Sequence, residues 1–398
     1  MLAVFKKRIN KIKLPFLFSL ILLFSCLISS QDVTANNESI FAKEIFHRAC
    51  ELVNEKFYFE PKFNIKNWEE KLEEKISTID NAYKQINKLT DKLNDPYTRH
   101  LTREEFKDER DIIKSTLVGI GVKLESKKPI ILEVLPESPA YESGLIQNDY
   151  ILAVNIKITK GLNSNQIGKI LKGPEGSLLK IKIKRDNEIL TKEITRRKFE
   201  IKAVTTKMLR DDIALLKIDS FVPENTSTVL KEELIKLMSS KGIILDLRNN
   251  SGGLFKNAID IADAFLSKGK IVTSISKNSS ANQFANAASF CDAPLVILVN
   301  ENTASASEIL ASALRENNRA KIVGKRTFGK GLIQEVVRLP DDSALHVTVG
   351  AYLTPSGKNI NKIGIVPDSI SYKNEEQLQK AIEIIKEQIN TQQPAAKI

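Results

Sequence analysis

The run NTASASEILASALRENNRAKIVGKRTFGKGLIQ, Asn302 to Gln334, places three hydroxyls at the mouth of a helical pattern and then a lysine between glycines. It contains no histidine. Thr303, Ser305 and Ser307 are candidate nucleophiles, and a hydroxyl is a weak one until a neighbouring base takes its proton. Lys330, wrapped by Gly329 and Gly331, is the strong base of this run set in such a turn. A lysine accepts a proton only when neutral, which requires burial to bring it well below its usual value of about 10.4. Phe328, Ile333 and Val336 are apolar neighbours suited to that. Two plainer readings stand beside this one. Ser305-Ala-Ser-Glu308 fits a capping box, so Ser305 could simply start a helix. Gly324 to Gly331 nearly spells a Walker A loop, but Gly331 occupies the place of the Ser or Thr that would hold magnesium.

A second candidate is GIILDLRNNSGGLF, Gly242 to Phe255. A buried strand running into a glycine turn at the carboxyl edge of a sheet can point backbone amides at a developing oxyanion. Its plainer reading is a tight strand-to-helix turn.

These pieces need a scaffold. From 199 to 372, apolar runs such as IALLKI, GIILDL, APLVILV and AKIVG alternate with helical patterns, which predicts an α/β unit with a largely parallel sheet. Residues 373–398 read as a final amphipathic helix with a frayed tail. From 115 to 197 the period shortens to strands (VGIGVKL, PIILEVL, DYILAVNI, LLKIKIKR), with one helix over NSNQIGKILKG, which suggests a compact, partly open barrel. Residues 37–110 form a charged helical subdomain that ends near Pro96 in DPYTRHL.

Composition sets bounds on function. The chain has 398 residues, 42% hydrophobic and 27% charged, as in ordinary globular proteins. The formal charge of +11 is partly local, because Lys6, Lys7, Arg8, Lys11 and Lys13 precede any acid. With no basic stripe and interleaved aromatics, nucleic acid is not an expected partner. The basic start followed by LPFLFSLILLFSCLISS, Leu14 to Ser30, makes 1–30 an export signal, an uncleaved anchor that tethers the chain to a membrane, or a lipoprotein leader around Cys26. Each reading places the body in the periplasm or on the outer face of the cytoplasmic membrane. Cys50 and Cys291 offer no disulfide framework and are expected to be buried thiols. His47, His100 and His346 lack metal-ligand spacing, so neither a metal nor an organic cofactor is expected.

SPAYESGLIQNDYILAVN, Ser138 to Asn155, resembles the PDZ pattern, with Asn148 and Ile156 at two usual glycines. The resemblance makes Gly119, Ile120, Gly121 and Val122 the loop that binds a peptide's terminal carboxylate, with the following strand edge pairing to the peptide. DPYTRHL, DLRNNSGGLF, TASASEILASAL, RAKIVGKRTFGKGLIQ, YLTPSGKNI and GIVPD, in that order, resemble the carboxyl-terminal processing, or tail-specific, proteases of the Ser-Lys class. That resemblance implies an α/β multidomain protein whose core is of the Clp-protease and crotonase kind. It implies Ser305 as nucleophile, Lys330 as general base and Gln334 as the residue orienting the lysine. It puts oxyanion amides on Ala306 and on the Gly252-Gly253 pair, Gly253 preferred. Arg185 falls where a family arginine couples the PDZ domain to the core. Glu316 replaces a common Asp, and 277–290 matches poorly. The implied activity is cleavage near the C-terminus of proteins with free apolar tails. A PDZ scaffold that binds tails without cutting them is the alternative, and acyl-thioester chemistry on the same core is disfavoured by the leader and the PDZ domain. Amphipathic surface on the N-terminal helices and the last helix suits a homo-oligomer.

Overall fold

The computed structural model describes residues 36–125, 128–200, 202–286 and 289–392. The leader and the terminal tail read from the sequence lie outside the described residues. Among the described residues, no helix is long and apolar enough to cross a membrane.

The chain divides into two compact units, one holding the described residues up to Phe106 together with Ile333–Gly350. In it, helical residues 36–56 bury Ala42, Ile45, Phe46, Ala49 and Val53 at three- and four-residue spacing, as an amphipathic helix must. Helices Ile65–Glu73 and Ile79–Lys92 follow, each started by a side chain (Asn64, Thr78) that accepts a first-turn N–H. Their shared core includes Leu339, Leu345 and Val347. These residues fall inside the 199–372 stretch, and their packing has a physical cause: the strand from Ala344 pairs antiparallel with Arg99–Leu101 and turns its apolar residues onto the helices.

This unit carries a proton-linked weakness. His100 is 8% exposed, and among the described residues its Nε2 has no hydrogen-bond partner. Burial holds the imidazole below its ordinary value of 6.5, although the Asp341 and Glu105 charges pull the other way. The unfolded chain therefore binds a proton that the folded one resists, so this contribution is lost as pH falls through about 6.5 and below. Urea midpoints of the wild type are expected to drop between pH 7 and pH 5, and His100→Gln is expected to flatten that drop. An unchanged slope in the variant would count against the assignment.

The other unit holds Lys107–Leu332 and Ala351 onward. Its first part is built from short strands in a four-strand sheet and two two-strand ladders, an open arrangement. Helix Ser164–Leu171 begins at Asn163 with a complete capping box closed by Gln166. Of the two positions that usually carry glycine, Asn148 takes the left-handed conformation itself (φ 73°), whereas beside Ile156 it is Asn155 that does so (φ 52°), leaving Ile156 almost fully exposed.

The second part centres on a six-stranded sheet. Val204–Met208 runs antiparallel to Ile213–Ile218, and from there Gly242–Asp246, Leu295–Val299, Lys321–Gly324 and Ser369–Ile370 are parallel. Gly242–Asp246 and Leu295–Val299 are buried throughout, which is why they read as unbroken apolar runs. Helices Thr226–Lys236, Phe255–Phe265 and Ala306–Glu316 are the crossovers, and Asn374–Gln392 is the last helix. Cys50 and Cys291 are both free and buried.

Candidate active site

The glycine turn and the capped helix meet at the carboxyl edge of the parallel sheet. Strand Gly242–Asp246 leads into Asn249-Asn250-Ser251-Gly252-Gly253, and strand Leu295–Val299 leads into Asn300–Ser305. Asparagines stitch the two loops together. The Asn249 N–H donates to Asn300 Oδ1 (2.9 Å), and Asn300 Nδ2 donates back to Asn249 Oδ1 (2.8 Å). Asn250 is fully buried, and its carbonyl accepts the Ala304 N–H (3.0 Å). At Gly252 (φ +97°) a Cβ would sit 2.9 Å from both the Ser305 Cβ and the Ala306 nitrogen, so only glycine lets the turn lie against the helix start.

The three hydroxyls separate cleanly. Thr303 Oγ1 donates to the Leu247 carbonyl (2.8 Å) and Ser307 Oγ to that of Asn250 (3.0 Å), and both residues are fully buried. Their protons are spent on holding the loops together. Ser305 is partly exposed and begins the helix with φ 56° and ψ −118°, a strained backbone for a residue with a Cβ. Its main chain is fixed independently of its hydroxyl. The N–H donates to Glu308 Oε2 (2.9 Å), and the carbonyl accepts from the N–H groups of Glu308 (2.8 Å) and Ile309 (3.0 Å).

Glu308 does more than close a capping box: its carboxylate is fully buried and also receives the lysine turn. Oε1 accepts from Thr327 Oγ1 (2.5 Å) and the Gly329 N–H (2.8 Å), and Oε2 accepts the Lys330 N–H (2.9 Å) beside that of Ser305. One carboxylate therefore ties the serine's backbone to the lysine's. Tyr352 does the same from the carbonyl side, its single Oη–H shared between Lys330 O (2.5 Å) and Ser305 O (3.1 Å). The signal available in the sequence was a single acid inside the otherwise small and apolar run ASEILASAL. Lys330 is itself partly buried, whereas Phe328 (56%) and Val336 (36%) are exposed and do not form the apolar wall expected of them.

The two glycines of the turn differ in their hydrogen bonding. The Gly252 N–H donates to Asn250 Oδ1 (2.9 Å), so it is not available to an oxyanion. Among the described residues, the N–H groups of Gly253 and Ala306 donate to nothing. Gln334 lies in the smaller unit, where its Nε2 donates to Thr348 Oγ1 (3.4 Å). Glu316 accepts the Ser356 N–H (2.7 Å), a structural duty.

The expected peptide-binding loop borders a cavity of about 250 Å³ lined by Val118, Ile120, Val122, Leu171 and Phe199 among others. Gly121 adopts φ +81°, where a Cβ would fall 2.2 Å from the Ser138 Cβ. Among the described residues, the Ile120 and Gly121 N–H groups donate to nothing. Strand Val122–Leu124 pairs on one side with Ile131–Val134, and helix Ser164–Leu171 contributes Ser164, Gly168 and Leu171 to the cavity. The Arg185 guanidinium grips Asp149 with two bonds (2.7 and 2.8 Å) and donates to Gly144 O (2.7 Å), all within the same small-strand part. Among the described residues, no cluster of acidic, His or Cys side chains could hold a metal ion.

The PDZ domain model matches residues 116–195 and the Peptidase family S41 model matches residues 212–371. A carboxyl-terminal-processing protease of Picosynechococcus is 33% identical over 328 residues, 79% of this chain and 79% of that protein. One from Synechocystis is 32% identical over 372 residues, 88% of this chain and 86% of its own. Among solved structures, the photosystem II D1 C-terminal processing protease aligns with a TM-score of 0.59 at 29% identity, over 83% of this chain and 93% of that one. Similarity of this extent, running through both the small-strand part and the parallel sheet, shows that the chain belongs to Peptidase family S41 and is a PDZ-bearing serine protease of the carboxyl-terminal-processing kind.

Proposed function

We propose that the chain cuts proteins near their C-termini with a Ser305–Lys330 dyad, after capturing a free apolar tail in the PDZ cavity. The observation that supports the dyad most directly is the shared Glu308 carboxylate, which holds the Ser305 and Lys330 backbones to one another. In the forward step Ser305 Oγ bonds to the scissile carbonyl carbon while its proton passes to neutral Lys330 Nζ. The N–H groups of Gly253 and Ala306 stabilise the oxyanion. The C–N bond then breaks, the lysine returns the proton to the departing amine, and a water activated by Lys330 hydrolyses the acyl-serine. Gln334 orients the lysine in this reading. Tail capture is supported by the two idle amides of Ile120 and Gly121 beside an apolar cavity, a fit for a carboxylate followed by apolar side chains. The core is assigned to the Clp-protease and crotonase kind by resemblance. The Leu14–Ser30 run supports action outside the cytoplasm, with a membrane tether if the leader is retained, and the amphipathic helices support a homo-oligomer.

The test uses a denatured reporter protein ending in apolar residues with a free carboxylate. Wild type is expected to release its C-terminal fragment, and to do so far more slowly when the tail is amidated or ends in aspartates. Lys330→Met is expected to be inactive, because it removes the only group in this reading that accepts the serine proton. Binding without cleavage would establish the scaffold alternative, and activity in Lys330→Met would remove the dyad.

A further inference from the structure

The segment Asp95-Pro96-Tyr97-Thr98 resembles the family but has no task in the scheme above. In the smaller unit, Asp95 is only 9% exposed, and its carboxylate gathers three donors. Oδ2 accepts from Thr98 Oγ1 (2.6 Å) and Thr348 Oγ1 (2.6 Å), and Oδ1 accepts the Tyr97 N–H (3.3 Å). The Thr348 N–H donates to Thr98 Oγ1 (3.0 Å), and Thr348 is fully buried. Gln334 Nε2 lies 3.4 Å from Thr348 Oγ1.

Donor chemistry fixes the direction of every link. An ionised carboxylate only accepts, so Thr348 must spend its single proton on Asp95. What Thr348 then offers Gln334 is a lone pair. The amide must present its NH₂ end to the threonine, and its carbonyl Oε1 is turned away. Without that constraint the two ends of a glutamine amide are nearly equal in shape and would exchange.

We propose that Asp95, acting through Thr348, sets which end of the Gln334 amide is free. Asp95 and Thr348 are positioning residues. The inference rests on the reading of Gln334 as the group that orients Lys330. It also gives the DPYT segment a purpose that a turn closed by its own hydrogen bonds would not need, because Thr348 lies far along the chain on a separate strand.

The test is steady-state kinetics of the full chain on the same reporter. Thr348→Val keeps the shape and removes the hydroxyl. It is expected to lower kcat about tenfold with KM within about twofold, the scale of one lost hydrogen bond. Thr348→Ser is expected to restore most of that loss. In a Gln334→Ala background, Thr348→Val should cost nothing more, since the relay acts only through the amide. Should Thr348→Val melt far below wild type, Asp95→Asn carries the same test. Its NH₂ can donate to Thr348, freeing the hydroxyl proton for Gln334 and allowing the amide to turn over, so kcat falls with KM retained. An equal Thr348→Val loss in the Gln334→Ala background, a loss confined to KM, or failure of serine to restore kcat would each overturn the relay. Wild-type kcat in Gln334→Ala alone would instead overturn the assignment of Gln334, and the relay with it.

Discussion

Ser305→Ala is expected to lower kcat by about 10⁴-fold or more while leaving the melting temperature close to that of wild type. The size follows from the role, since removing the nucleophile removes the covalent path and not merely one contact to it. The unchanged stability follows from the structure. The bonds that hold residue 305 run through its N–H and carbonyl, and alanine keeps both. Alanine also carries a Cβ, so the positive-φ strain of the site is the same in the variant. Ser307→Ala and Thr303→Val should behave in the opposite way. Ser307→Ala removes one buried hydrogen bond to a carbonyl that keeps its Ala304 N–H, at a cost of about 1 kcal/mol, while Thr303→Val also strands the buried Asn300 N–H, at about 1–3 kcal/mol, and any fall in activity should track that loss of fold. Reporter cleavage and thermal melting on the three variants separate the cases. A stable, inactive Ser307→Ala beside an active Ser305→Ala would refute the choice of nucleophile.

That choice could not be made from spacing alone. Thr303, Ser305 and Ser307 alternate along the chain, and only resemblance singled out the middle one. The structure distinguishes them physically: the outer two hydroxyls are bonded to the loops they brace, and the middle residue is partly exposed. The parallel sheet was legible because strands buried on both faces leave unbroken apolar runs such as GIILD and LVILV. Helix Ser164–Leu171 was legible because its cap and closing glutamine are local. Residues 333–350 were not. Periodicity shows that a strand has an apolar face but not which unit covers it, and Leu345 and Val347 find theirs on the N-terminal helices. The partner of Arg185 was not legible for a related reason. The arginine's position matched, but a guanidinium bonds to whichever carboxylate is within reach, and here that is Asp149. The Asp95–Thr348 bond joins residues more than two hundred apart, and no local pattern announces such a pair.

Glu308→Gln is expected to reduce kcat by about 10²-fold and to destabilise the fold measurably, even though only an oxygen is exchanged for an NH₂. Both oxygens of this buried carboxylate face donors: a hydroxyl and an amide on Oε1, two amides on Oε2. Glutamine keeps one acceptor and must aim its NH₂ at the other pair. The better orientation places NH₂ toward Thr327, whose hydroxyl can reverse and accept, and abandons the Gly329 N–H. The opposite orientation sets NH₂ against the N–H groups of Ser305 and Lys330, which cannot reverse. Either way the turn carrying Lys330 loses an anchor, at a cost of about 1–3 kcal/mol for the donor left without a partner. The larger effect is geometric, because a base displaced by an ångström from its nucleophile forfeits much of the benefit of being held there. Glu308→Ala should be worse on both counts, since it strands the three backbone donors and the Thr327 hydroxyl together and leaves a cavity beside the serine. The measurement is kcat and melting temperature on each variant, with KM as the control. A Glu308→Gln enzyme that melts below wild type yet keeps its kcat would show that the carboxylate only supports the fold. In that case the backbones of Ser305 and Lys330 would be held in register by Tyr352 alone.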